Sequence, residues 1–205
     1  LGVDYYKLSK VTDVFAIEGG INFGPSKIEK SDDLTSVVSN LGRWGELQLY
    51  YDIARSISPD KPISNDECYV IRKNALGERI STRRSDFPTV LWNDLIHGVS
   101  SSYIFVWTND EWRWQSKNLE GAKKDAQGQG SYALLNPYSY PQNSLLGIKD
   151  FKEEVDKLGN IVLPRPRIKG EIALLVSYPT MRMSSIKKTP FKKDVLNYYR
   201  ALLYS

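Results

Sequence analysis

The chain has 205 residues, a formal net charge of +4 at pH 7, 41% hydrophobic residues and a single cysteine. This length allows one large domain, or one domain with part of a second, and one cysteine excludes both an internal disulfide and a cysteine-rich zinc site. The basic residues are scattered, which argues against a nucleic-acid partner, and no apolar run approaches the ~20 residues of a membrane-spanning helix.

The first third of the chain is predicted to alternate between strands and helices. An apolar run closed by glycines indicates a strand, and apolar residues at helical spacing indicate a helix. The predicted elements are the end of a helix over 3–11, a strand over 12–20, a loop over 21–31, a helix within 31–57 and a strand over 61–67.

The remainder of the chain continues the alternation and then changes character. Proline near a first turn and glycine at an end bound the third helix, from about Ser85 to Gly98. The other predicted elements are a polar loop over 72–81, a strand over 102–109, a long loop over 109–145, a charged helix over 146–158, a proline-containing linker over 159–169, a strand over 170–178 and an amphipathic helix over 189–205.

Polar and aromatic side chains follow the three predicted strands of the first unit. The alternation of short apolar strands with helices favours βα units around a parallel sheet. In parallel α/β barrels, catalytic residues lie at the carboxyl ends of the strands. Here those ends carry Glu18, the pair Asp66-Glu67, and Trp107. A carboxylate facing an indole suits a sugar ring, since the carboxylate can attack or stabilise the anomeric carbon.

Several segments resemble the second half of a glycoside hydrolase of family 42. They are "KPISNDECYV" (61–70), "RRSDFPTVLWNDLIHGVSSSYIFVWTNDEW" (83–112), "EIALLVSY" (171–178) and "VLNYYRALL" (195–203). The match is one of order and spacing, and it extends over about residues 3–204. It implies an α/β fold: residues 1–158 as the C-terminal part of a (β/α)₈ TIM barrel, 159–169 as a linker, and 170–205 as the first β-α unit of a flavodoxin-like or Rossmann-like domain.

The resemblance implies a retaining β-galactosidase-like hydrolase and assigns roles to individual residues. Glu67, at the end of the seventh barrel strand, corresponds to the nucleophile, and Trp107 corresponds to the tryptophan on which the sugar packs. Glu18 ends the sixth strand and is given a substrate-binding role. For Trp112, an extended sugar groove and a loop anchored on the barrel rim are equally good readings.

The family's acid/base glutamate has no counterpart in this chain. Asp66 cannot replace it beside Glu67, because consecutive strand residues point to opposite sides. The resemblance therefore implies a partner, the missing N-terminal half of the barrel, and homo-oligomerisation, with a trimer as in the family. It implies no metal and no organic cofactor. The alternative function is a non-catalytic carbohydrate-binding or assembly protein on the same scaffold.

Two other residues have simpler explanations than catalysis. His97, the only histidine, precedes a helix-ending glycine and is expected to make a core hydrogen bond or to complement the helix C-terminus. Cys68 would need a nearby base to act as a nucleophile, and the sequence offers none at short range.

Overall fold

A computed structural model describes residues 4–23, 35–73, 79–80, 82–105, 142–162, 172–177, 179–180, 183 and 191–203. Within these ranges the protein is a mixed α/β structure. The helices are α1 (Tyr5–Leu8), α2 (Thr35–Ile57), α3 (Asp86–Ile96), α4 (Asn143–Val162) and α5 (Phe191–Leu203). The strands are β1 (Phe15–Ile17), β2 (Ile21–Phe23), β3 (Ile63–Cys68), β4 (Val70–Lys73), β5 (Arg79–Ile80) and β6 (Val99–Ile104).

The main sheet is parallel and contains three strands in the order β1-β3-β6. Phe15 pairs with Ile63 and Ile17 pairs with Asn65, while β3 pairs with β6 through a register that shifts on either side of Ser64-Asn65. Helix α2 connects β1 to β3 in sequence, and α3 connects β3 to β6. The predicted parallel arrangement of strands and helices is therefore confirmed.

A second small sheet lies in segments for which loops were predicted. Its order is β2-β4-β5, with β2 and β4 parallel and β4 and β5 antiparallel. The loop predictions over 21–31 and 72–81 are wrong for these strands. The physical reason is burial. Ile21 and Val70 pair with each other and are fully buried, so removing their side chains from water stabilises the sheet. The polar residues next to them in the sequence gave no sign of this burial.

The core fills the space between the main sheet and helices α2 and α3. Its fully buried members include Tyr51 and Ala54 on α2, Ile63 on β3, and Phe87 and Val90 on α3. The helical spacing of these residues places them on one face of each helix. Burying a side chain of this size contributes roughly 1.5–3 kcal/mol, so this layer holds the strands and the two helices together.

Helix α3 ends as its sequence predicts. Gly98 has a φ of 79°, which favours glycine in the position after the helix. His97 caps the helix, and its Nδ1 lies 3.4 Å from Asp52 Oδ1 on α2. Of the two roles predicted for this histidine, the structure shows a hydrogen bond, which is partly buried rather than in the core.

An ion pair joins the small sheet to the start of α3. Arg72 on β4 donates from Nε to Asp86 Oδ2 at 2.7 Å and from a terminal guanidinium nitrogen to Asp86 Oδ1. Asp86 is 1% exposed and also accepts from the backbone N–H of Arg83 at 2.8 Å. The buried carboxylate is therefore compensated by a bidentate partner and a backbone donor.

Helix α4 packs against α3. The ring of Trp92 meets Phe151 edge to face, with centroids 5.4 Å apart, and its Nε1–H donates to Glu154 at 2.5 Å. The helix extends to Val162, four residues into the segment predicted as a linker. The predicted charged helix over 146–158 is confirmed, with ends that lie further out on both sides.

The C-terminal part of the described chain contacts α2. Val195 and Leu196 on α5 pack with Leu49 on α2, and Tyr199 donates to Asp52 Oδ2 at 2.5 Å. The described residues 172–177 form no strand, so the prediction of a strand over 170–178 is wrong for them. Apolar content alone favoured a strand there, but a strand also needs a hydrogen-bonded neighbour, and Leu175 instead remains largely exposed.

A substitution at Gly147 tests the contact between α4 and α3. A Cβ atom at this position would lie 2.2 Å from the carbonyl oxygen of Arg84 and 3.0 Å from Pro88 Cδ. Gly147→Ala should therefore lower the free energy of unfolding by about 1–3 kcal/mol, measured by urea denaturation. Asn160→Ala, an exposed site on the same helix, should change it by less than about 0.5 kcal/mol. Equal effects of the two substitutions would contradict this packing.

Candidate functional site

Two glutamates lie at the same edge of the main sheet. Glu18 directly follows β1, and Glu67 lies near the carboxyl end of β3, the central strand. Because β1 and β3 are parallel, with Ile17 opposite Asn65, both carboxyl-bearing ends emerge on the same side. The edge is the one at which parallel α/β proteins bind ligands.

The two glutamate side chains interact directly. Glu67 is partly buried and Glu18 is exposed. Burial raises the pKa of Glu67 above its ordinary value, and the hydrogen bond and the negative charge of Glu18 raise it further. Two carboxyl groups in such contact favour a state in which one proton lies between them. The sequence placed both residues at the rim, and the structure brings them together.

Asp66 does not take part in this pair. It is exposed, and its Oδ1 accepts a hydrogen bond from the Ser64 hydroxyl at 2.5 Å. Its partner lies on its own strand, whereas the partner of Glu67 directly follows β1.

The amide of Asn65 connects β3 to the backbone that follows Glu18. Asn65 is fully buried; its Oδ1 accepts from the N–H of Gly19 at 3.1 Å and its Nδ2 donates to the carbonyl of Gly19 at 3.0 Å. The Asn65 side chain thus bonds both the backbone N–H and the carbonyl of Gly19, which lies 46 residues earlier in the chain. The backbone next to Glu18 is held at a fixed distance from β3.

A buried carboxylate, Asp94 on α3, orients this amide. Asp94 is 1% exposed, and its Oδ2 accepts from Asn65 Nδ2 at 3.0 Å and from the Ser102 hydroxyl at 2.9 Å. Its Oδ1 accepts from the Tyr51 hydroxyl at 2.9 Å. Burial raises the pKa of Asp94, and the hydrogen bonds from Asn65, Ser102 and Tyr51 oppose that rise. The pKa of Tyr51 is raised, first by burial and then by the charge of Asp94.

Sequence reasoning missed Asn65 and Asp94, although the pattern of α3 contained a signal. Phe87, Val90 and Leu91 mark its buried face, and Asp94 follows on the same face three residues after Leu91. A carboxylate on the apolar face of a helix must have buried donors. That pattern predicts a polar network, but it does not say which strands supply the donors.

Two glycines allow the backbone after Glu18 to come close to its neighbours. A Cβ atom on Gly19 would lie 2.2 Å from Leu47 Cδ1, and one on Gly20 would lie 2.1 Å from the Tyr69 ring. A larger residue at either position would require the Leu47 or Tyr69 side chain, or the backbone itself, to shift. The glycines therefore belong to the geometry that positions Glu18.

The structure does not add Trp107, Trp112 or Cys68 to the site. Trp107 and Trp112 lie outside the described residues. Cys68 is buried and forms no disulfide; burial and then the charge of Asp94 raise its pKa, which keeps the thiol protonated. These properties are those of a core cysteine.

Among the residues that the structure describes, no group of three or more His, Cys, Asp or Glu side chains is arranged to hold a metal ion. None of the helices in the described ranges has the length and apolarity required to cross a bilayer.

Comparisons with known proteins add no relative: no family model matches the chain, and neither a curated protein nor a solved structure matches it.

Replacing Tyr51 tests the buried network around Asp94. Tyr51→Phe removes a donor from a buried carboxylate and should lower the free energy of unfolding by about 1–3 kcal/mol. The matched control is Tyr50→Phe on the same helix, since the Tyr50 hydroxyl makes a longer bond of 3.3 Å to Glu46 on a partly exposed face. Chemical denaturation of both variants should show the larger loss for Tyr51→Phe, and a larger loss for Tyr50→Phe would contradict the network.

The contact between the glutamates predicts a pH dependence of stability. A raised pKa of Glu67 means that the folded chain binds this proton more tightly than the unfolded chain. The free energy of unfolding therefore falls as the pH rises from the ordinary glutamate pKa through the raised one. Glu18→Gln removes the neighbouring charge. The free energy of unfolding of the variant should therefore fall less with rising pH than that of the parent.

Urea denaturation at several pH values between about 4 and 7 measures this difference. The control is Glu153→Gln, an exposed position on α4. A parent-minus-variant difference that does not change with pH for Glu18→Gln would show that the two carboxyls do not interact.

Proposed function

We propose that the chain is part of a retaining glycoside hydrolase that cleaves β-galactosides or related β-linked sugars, with Glu67 as the nucleophile. The observation that carries the proposal is the position of Glu67: a partly buried carboxyl group at the carboxyl end of the central parallel strand, with a raised pKa and a second carboxyl beside it. Perturbed carboxyls at such an edge are typical of catalytic sites.

The strand order supports a barrel as the proposed scaffold. Strands β1, β3 and β6 are neighbours in that order, all parallel, and a helix connects each to the next. Consecutive βα units of a (β/α)₈ barrel have this arrangement. We assign these units to the sixth, seventh and eighth of a barrel, and we propose self-association with a trimer as the assembly.

In the proposed reaction the ionised carboxylate of Glu67 attacks the anomeric carbon, and the glycosidic oxygen departs as it accepts a proton from an acid. Water, deprotonated by that same group, then displaces Glu67 from the glycosyl-enzyme. The reaction uses no metal and no organic cofactor.

Glu18 is not the acid/base group in this proposal. A retaining enzyme separates its two catalytic carboxyls by about 5–5.5 Å, so that the glycosidic bond fits between them. Glu18 instead makes a hydrogen bond with Glu67. The proposed acid/base glutamate therefore comes from outside this chain, from the other part of the barrel, and Glu18 is assigned to substrate binding and to the protonation of Glu67. Trp107 and Trp112 are proposed as surfaces for the sugar rings.

The close contact of the two glutamates also favours a second candidate, a non-catalytic carbohydrate-binding or assembly protein on the same scaffold. Two carboxyls in hydrogen-bond contact that share a proton can accept and donate bonds to sugar hydroxyls without any reaction. The two candidates differ in whether Glu67 forms a covalent bond.

A trapping experiment on the full-length protein separates the candidates. A 2-deoxy-2-fluoro-β-galactoside with a good leaving group should label one peptide, and mass spectrometry should place the sugar on Glu67. Glu67→Gln should prevent labelling and lower kcat by about a thousandfold or more while sugar binding persists. Asp66→Asn, the neighbouring carboxylate with its own partner on β3, is the matched control and should still be labelled. Sugar binding without any labelling would favour the non-catalytic protein, and labelling elsewhere would remove Glu67 from this role.

A further inference from the structure

We propose that Asn65 is a positioning residue that holds Glu18 against Glu67, and that Asp94 fixes the orientation in which Asn65 does so. The proposal rests on the proposed function only for its catalytic consequence; the geometry concerns the glutamate pair whether or not the pair cleaves sugars.

The hydrogen-bond partners of the Asn65 amide define its direction. Its Nδ2 has two hydrogens, and the structure gives it two acceptors: the Gly19 carbonyl and Asp94 Oδ2, each at 3.0 Å. Its Oδ1 faces the N–H of Gly19 at 3.1 Å. A flipped amide would place Oδ1 against two acceptors and Nδ2 against a donor. Asp94 therefore permits one orientation of this side chain.

The Asn65 amide in this orientation holds the backbone beside Glu18. Gly19 is the residue directly after Glu18, and both of its backbone polar groups are bonded to Asn65. Asn65 lies two residues before Glu67 on β3. The amide therefore links the backbone beside one glutamate to the strand that bears the other. Without this link, the Glu18 segment would be held only by the ladders on either side of it, β1 with β3 up to Ile17 and β2 with β4 from Ile21.

Glu67 has titratable groups on the elements around it. Glu18 faces it from the end of β1. On its own strand the titratable neighbours are Asp66, which is exposed and bonded to Ser64, and the buried thiol of Cys68. Strand β6 contributes Tyr103, which is 62% exposed. Glu18 is the neighbouring carboxyl that acts on Glu67, so a change in the position of Glu18 should register in the titration of Glu67.

The test is a titration of Glu67 by NMR in the full chain, with carbon-13-labelled glutamate side chains assigned by substitution. Glu18→Gln sets the reference, because it lowers the pKa of Glu67 by removing the neighbouring carboxyl. Asn65→Ala should lower the pKa of Glu67 in the same direction and by more than half of that reference shift. Val90→Ala, which removes core volume at a fully buried site on α3 but none of the hydrogen bonds of the amide, should reduce thermal stability without moving the titration.

An unchanged titration of Glu67 in a folded Asn65→Ala variant would overturn the proposal, and so would an equal shift in Val90→Ala. Asn65→Ser, which keeps a polar group in less volume, provides a second variant if the alanine variant does not fold. Hydrogen exchange of the Gly19 amide in the unmodified chain decides the matter if neither folds. Exchange at least about a hundredfold slower than in an unstructured peptide supports the bond to Asn65, and exchange within about tenfold of that peptide rate overturns it.

These outcomes are separate from those of the trapping experiment. If Glu67 is never labelled but its pKa falls in Asn65→Ala, the positioning role stands and the hydrolase proposal fails. If Glu67 is labelled and its pKa is unchanged in Asn65→Ala, the hydrolase proposal stands and the positioning role fails. In a catalytically active protein, the shift should also appear as a displacement of the acidic limb of kcat/KM to lower pH.

Discussion

The carboxylate of Asp94 is the constraint on which the central part of the structure depends. A carboxylate removed from water costs several kcal/mol unless donors replace its hydration. The donors here are Tyr51 on α2, Asn65 on β3 and Ser102 on β6. Together with α3, which bears Asp94, four elements therefore meet at one group. Apolar packing alone would tolerate small shifts of a helix across the sheet, whereas three hydrogen bonds from three elements define one register.

This register determines the geometry of the sheet edge. Asn65 has its amide fixed by Asp94 on one side and reaches the Gly19 backbone on the other. Gly19 and Gly20 leave space for the backbone to approach Leu47 and the Tyr69 ring. The result is a pair of carboxyl groups, Glu18 and Glu67, held in contact, which repel each other when both are ionised. A fold optimised only for stability would separate two such groups, and perturbed carboxyls of this kind concentrate at functional sites.

The elements that could be predicted from the sequence are those with a strong local pattern. The sequence predicts the alternation of apolar strands and amphipathic helices and the glycine at the end of α3. It also predicts that two glutamates lie at strand ends. The strands β2, β4 and β5 were not, because they are two to four residues long and their burial depends on tertiary neighbours. The segment 172–177 shows the opposite error, since its apolar residues suggested a strand without a pairing partner. The contact of Glu18 with Glu67 depends on the side chain of Asn65, whose partners lie 46 and 29 residues away in sequence.

The arrangement of the glutamates has a consequence for the proposed reaction. In the free protein, an ionised Glu67 lies next to the carboxyl of Glu18, and its pKa is raised first by burial and then by the hydrogen bond and the charge of Glu18. When Glu67 attacks an anomeric carbon it becomes an ester and loses its charge, so the repulsion from Glu18 is relieved as the covalent bond forms. The same repulsion favours protonation of the pair at low pH, which removes the nucleophile. A positioning residue that brings the carboxyls closer therefore makes attack by the ionised Glu67 more favourable. It also raises the pH below which Glu67 is protonated and cannot attack. Asn65 acts on both quantities through one distance, that between the carboxyl groups of Glu18 and Glu67.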